Sequence, residues 1–163
     1  MRSIEFTVLG FPAPKGSMRA AGNRVIPSGN KANCDSLVSW ESAVRQAATA
    51  ALRVTPDPVL EVPLPGVIMF VKVPLRFTAV WRMPRLMAHF HKTGPKVGSL
   101  RDDAPRYPVA KPDADKLLRT TWDALTMLVF DDDSRIAETM MRKIYAPPGQ
   151  EGAWIKIEQL EDK

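Results

Sequence analysis

Proline sets the strongest limit on what this chain can fold into. Fifteen of its 163 residues are proline, nearly twice the usual ~5% share. Proline lacks an amide hydrogen and fixes φ, so it ends helices and is excluded from central strands. Only two long stretches, 28–55 and 113–146, are free of it, and the long helices are expected there.

In the first stretch Leu37, Trp40, Val44, Ala47, Ala48 and Ala51 recur at spacings of three and four, the period of one helix face. Asp35 or Ser36 is expected to cap the start, and Thr55-Pro56 stops the helix. This is a packing helix with no chemistry of its own. In the second stretch Leu118, Trp122 and Leu125 make an apolar stripe, while Asp115, Arg119 and Asp123 make a polar one at four-residue intervals. Strand patterns occur at 4–10, 67–73, 135–145 and 153–160. Strands mixed with two helices predict an α+β fold, a mixed β-sheet with two main helices packed on it. Length predicts one domain, 1–163. The segment from about 75 to 112 reads as a long basic loop, and loops of that length are functional or disordered.

Other classes are excluded by composition. One cysteine, Cys34, rules out an internal disulfide, and with only His89 and His91 beside it there are too few soft ligands for a closed zinc site. The longest apolar run is interrupted by Lys72 and falls far short of the ~20 residues that span a bilayer. The start of the chain alternates rather than running apolar, unlike a signal peptide. A cytoplasmic protein with no membrane partner is expected.

Net charge is +5, and one segment carries the surplus. Arg76, Arg82, Arg85, Lys92, Lys96, Arg101, Arg106 and Lys111 face only Asp102 and Asp103. Interleaved with Phe77, Trp81, Phe90 and Tyr107, they can neutralise phosphates and stack on unpaired bases. The plain alternative is a solvated basic loop.

The most informative stretch is KPDADKLLRTTWDALTMLVFDDDSRI, 111–136. Asp113 and Asp115 follow Pro112 at a helix start, and Arg119 lies one turn beyond Asp115 on the same face. Asp131, Asp132 and Asp133 come where that helix has ended and a strand begins. Each fragment alone has an ordinary explanation in capping, the helix dipole or surface ion pairing. An EF-hand loop from Asp131 fails, because Ile136 stands where glycine is needed and Arg142 where glutamate is. His89 and His91 would point the same way on a strand but have no third soft ligand, and read as loop or phosphate-contact residues.

The combination says more than its parts. Two like charges ~4 Å apart repel by about 4 kcal/mol at an effective dielectric of ~20, so converging carboxylates require a cation or a raised pKa. All-oxygen ligands are hard, which selects Mg²⁺ or Mn²⁺. Such a metal beside a phosphate-attracting surface is an arrangement for phosphodiester hydrolysis.

These residues resemble the RusA family of Holliday junction resolvases, endonucleases that cut four-way DNA junctions. The resemblance is carried by Lys111-Pro112-Asp113-Ala114-Asp115, by Asp123-Ala124-Leu125-Thr126, by Asp132-Asp133-Ser134-Arg135-Ile136, and by Lys143 and Tyr145. The first strand with its exit Gly10-Phe11-Pro12-Ala13-Pro14-Lys15-Gly16 is also similar. It implies a RusA-like fold, a two-fold homodimer supplying two active sites, and Mg²⁺ held by Asp113, Asp115 and Asp133, with Asp132 beside them. Lys116 and Arg119 stand where the family has asparagine and lysine. Arginine cannot release its proton: if the family lysine only stabilises charge, Arg119 can replace it, and if it transfers a proton, Lys116 or metal-bound water is the candidate donor.

The resulting expectation is paired, Mg²⁺-dependent hydrolysis of branched DNA, with Asp113, Asp115, Asp133 and Arg119 catalytic. Lys15, Arg19, Arg76, Arg82, Arg85, Lys92, Lys96, Lys111 and Lys143 would hold the DNA backbone. The alternatives are a non-catalytic junction-binding module and a nuclease acting on flaps or single strands.

Overall fold

The computed structural model describes residues 2–15, 18–21, 24–27, 31–54 and 68–161. The elements run β1 (Ser3–Leu9), β2 (Met18–Ala21), β3 (Arg24–Pro27), α1 (Lys31–Val54), β4 (Leu75–Met83), α2 (Ala114–Leu125), β5 (Ile136–Tyr145) and β6 (Gly152–Gln159). Four strands form one mixed sheet in the order β1-β6-β4-β5. β6 is antiparallel to both of its neighbours, whereas β4 and β5 run parallel. This is the expected α+β architecture. The antiparallel pair β2-β3 stands apart. It lies outside the expected strands, although the sequence Gly22-Asn23 that separates its two strands is a two-residue hairpin signal.

Register puts one face of three strands into the core. Ile4 pairs with Ile157, Phe6 with Ile155 and Val8 with Ala153, while Phe77, Ala79 and Trp81 lie against the same three β6 residues. All of them are buried together with Trp40, Val44 and Ala48 of α1 and Leu117, Ala124 and Leu125 of α2. A slip by one residue would send every one of these side chains to the opposite face. Gly152 admits a close approach of β1: a Cβ there would meet the Val8 carbonyl oxygen at 1.9 Å.

The structure corrects four expectations. Residues 75–83 are the central strand β4 and not loop. Leu75, Phe77, Ala79, Trp81 and Met83 alternate inward, so the period-two signal was present beneath the charges of Arg76 and Arg82. The described part of 67–73 is not a strand, and Val67 lies outside the described residues. Phe70 makes a single bridge to Phe130, and Lys72 takes a left-handed φ of 53° that ends any extension. Asp35 and Ser36 do not cap α1, which already runs from Lys31; Ser36 Oγ instead donates to the Ala32 carbonyl one turn back. Finally, the buried face of α2 is Leu117, Thr120, Thr121, Ala124 and Leu125, with Leu118 and Trp122 only partly covered. Thr120 and Thr121 can be buried because each hydroxyl donates to the carbonyl four residues back.

The remainder of the basic segment, 84–112, is built rather than loose. Phe90 bridges Leu100, the His91 amide donates to the Ser99 carbonyl, and the Arg101 amide donates to the His89 carbonyl. The Ala146 amide donates to the Met83 carbonyl, tying the end of β5 to the place where this segment leaves β4.

Candidate active site

The motif residues meet along α2. Asp113 stands at the N-cap position with extended backbone, but its side chain makes no capping hydrogen bond. Its carboxylate faces Lys116 at 3.1 Å instead, so capping does not account for this aspartate. One turn further, Asp115, Lys116 and Arg119 line a cleft of ≈ 450 Å³, together with Lys15, Leu118, Trp122 and Asp133. Asp133 comes from the short 3₁₀ turn Asp133–Arg135 that leads into β5. Asp115, Arg119 and Asp133 are all exposed to solvent.

Three sets of contacts hold these walls. From the exit of β1, the Lys15 amide donates to Thr120 Oγ1 at 2.6 Å, and its ammonium pairs with Asp123. From α1, Arg45 donates to the Ala124 carbonyl at 2.9 Å, placing a cation at the negative end of α2. From β5, the Lys143 ammonium donates to the carbonyls of Ala110 and Pro112 at 3.1 and 2.9 Å, fixing the backbone that delivers Asp113. The acidic turn is held likewise. Asp132 Oδ1 accepts from the Ser134 amide at 2.8 Å, and Asp131 pairs with Arg135 at 3.2 Å. Hydrogen bonding from Ser134 holds the Asp132 carboxyl below its ordinary value. Behind the helix, burial raises the pKa of Glu41, while Lys15 opposes the shift and Asp123 adds to it.

The cations expected to hold DNA have different local partners. Lys15, as above, is engaged by Asp123. Arg76 pairs with Glu138 across β4 and β5 at 2.6 Å. Lys143 is occupied by two carbonyls. Arg85 lies 4.2 Å from the Tyr145 ring centroid and donates to the Pro105 carbonyl. Two nitrogens of Arg82 are shielded and have no hydrogen-bond partner among the described residues. Lys92, Lys96 and Lys111 are exposed. Arg19 lies in β2, with its side chain outside the described residues.

Asp113, Asp115 and Asp133 do not converge into a closed ligand cluster: no three His, Cys, Asp or Glu side chains among the described residues are placed to hold a metal ion. Two exposed carboxylates, Asp115 and Asp133, do share one cleft. That donor set fits a hard cation of the Mg²⁺ type, which is bound through one or two carboxylates and completes its shell with water and substrate phosphate.

One exposed carboxylate on α2 and another from the turn before β5, beside Lys116 and Arg119, form a mixed-charge cleft of the kind suited to a hard cation and a phosphate. The chain matches the endodeoxyribonuclease RusA family over residues 12–158, and it belongs to that family. It is therefore an enzyme that hydrolyses DNA, in a family of Holliday junction endonucleases. Comparison with curated proteins gives no match. No helix among the described residues is long and apolar enough to cross a membrane.

Proposed function

We propose that the protein resolves four-way DNA junctions by Mg²⁺-dependent phosphodiester hydrolysis in the α2 cleft, with Mn²⁺ able to substitute. The observation that carries this reading is the placement of Asp115, Lys116, Arg119 and Asp133 on the walls of one cleft in a chain of this family. A bound divalent cation neutralises phosphate charge and activates water. Asp115 and Asp133 would hold it, with Asp113 adjacent. Arg119 offers fixed positive charge to the phosphoryl oxygens and gives up no proton. Lys116, held against Asp113, can release one and serves as the proton donor to the departing 3′ oxygen, leaving a 5′ phosphate.

Two matched cuts require two sites, which a two-fold dimer supplies. Support for a second copy comes from β5, one of the two outer strands of the sheet, whose residues 137–142 are all exposed, Met140 and Met141 among them. Such an edge invites pairing. The protein is expected to elute as a dimer at micromolar concentration; a monomer would remove this part of the proposal.

The deciding experiment incubates the protein with a synthetic four-way junction, a matched duplex and a flap, each with Mg²⁺ or with EDTA. Paired symmetrical incisions confined to the junction and abolished by EDTA are expected. Tight junction binding without cutting would identify a binding module, and cutting of the flap alone would identify a different nuclease specificity.

A further inference from the structure

A second hollow, ≈ 520 Å³, opens beside the end of β5. Its walls come from two parts of the chain, the hairpin after β4 and the turn between β5 and β6. Met87, Phe90, Val97, Ala146 and Pro148 supply apolar surface, and Arg85, His91, Lys92 and Glu151 supply polar groups. Met87 and Val97 are 76% and 61% exposed, so the fold itself leaves this apolar surface uncovered. The surroundings are basic, with six cations against two carboxylates in residues 84–112. An apolar hollow at a basic surface suits a ligand with a flat apolar body and an anionic tether.

We propose that this hollow receives one unpaired nucleobase of a DNA strand whose backbone continues into the α2 cleft. Its volume falls in the range of small-molecule sites, ample for one base. Phe90 offers the aromatic contact on which bases of any sequence stack, and Lys92 meets the adjoining phosphate. Glu151 is an acceptor for an exocyclic amino group. The hollow is preformed: Arg85 and His89 both lie against Tyr145, and the Gly98 amide donates to the His91 carbonyl at 2.9 Å. Its position fits as well. Lys143, which grips the Pro112 carbonyl beside Asp113, precedes Ala146 by three residues, ~10 Å along extended chain. The cleft carboxylate Asp133 lies before the start of β5 and Ala146 after its end, ~33 Å of extended strand apart, so a DNA strand bound at the carboxylates reaches the hollow across several nucleotides.

The proposal takes its ligand class from the DNA-cutting reading, so the test reads base binding without cleavage. Two fluorescent single strands of equal length and charge, one bearing bases and one with a central abasic tract, are titrated with the protein in EDTA. The base-bearing strand is expected to bind about tenfold tighter, with the ratio falling to near one in Phe90→Ala and in Val97→Glu. Val97 is exposed, so its variant keeps the fold should Phe90→Ala disturb the hairpin. Equal affinity of the native protein for both strands, or a ratio unchanged in Val97→Glu, overturns the proposal. A protein that cuts no junction yet keeps the base preference loses only the resolvase reading, whereas junction cutting without the preference loses only the pocket.

Discussion

The α2 cleft and the hairpin after β4 are both charged, but they use charge in opposite ways. In the cleft the two signs sit side by side, with Lys15 on Asp123, Lys116 on Asp113, and Asp115, Arg119 and Asp133 together on its walls. In the hairpin the excess is of one sign. Arg101 is paired with Asp103, Arg85 and Arg106 rest near tyrosine rings, and Lys92 and Lys96 are exposed. Mixed charge held by positioning contacts suits chemistry, where a few groups must meet one phosphate. Unbalanced charge with apolar and aromatic neighbours suits holding a polyanion. Neighbouring stretches of chain, 84–112 and 113–133, thus arrange their charge differently in three dimensions.

The largest effect that would break this comparison is on the cleft. Asp115→Asn is expected to lower junction cutting by at least about a hundredfold, the scale of removing one preorganised electrostatic group, while junction binding in EDTA changes little. Undiminished cutting would move the chemistry away from α2. On the hairpin side, Lys92→Gln combined with Lys96→Gln should reduce the slope of log affinity against log salt by about two, at ~0.9 per phosphate contact. An unaltered slope would make the hairpin a solvated surface.

Two smaller effects sharpen the boundary between positioning and contact. Lys143→Met removes the donor to the solvent-accessible Ala110 and Pro112 carbonyls and is expected to cost about 1 kcal/mol of stability, seen as a lower urea midpoint. A loss of DNA affinity with unchanged stability would instead return Lys143 to the DNA surface. The smallest effect is acidic. Because the folded state holds Asp132 below its ordinary value of 3.8, its stabilising contribution is complete above that pH and is lost as pH falls through the lower folded value. Asp132→Asn should flatten that part of the stability profile below pH 4, and an identical acid limb in the variant would show that the Ser134 contact contributes nothing.

Much of the fold was legible in local pattern. β1, β5 and β6 appear near the expected strand stretches, and α1, Lys31–Val54, covers the periodic residues 37–51. β4 is masked in the sequence because Arg76 and Arg82 sit on its less buried face, between the five inward residues that alternate with them. The α2 stripe was displaced toward Leu118 and Trp122 because two threonines, polar by composition, satisfy their own hydroxyls on the helix and can face the core. At the site, the DxD motif, the later aspartate turn and Arg119 were readable as residue types suited to phosphate chemistry. The occupation of Lys15 and Lys143 by internal partners was not readable, since those partners lie 108 and 31 to 33 residues away.

What the sequence by itself determined is therefore what consecutive residues can encode: where helices and strands are permitted, which faces are apolar, and which chemistry the carboxylates and cations can perform. Tertiary structure alone decided that Asp115 and Asp133 share a cleft, and that Phe90 and Val97 meet Ala146 and Pro148 around a hollow. Periodicity is a property of neighbours along the chain, whereas a site is a property of neighbours across it, and only packing of the sheet and helices brings those together.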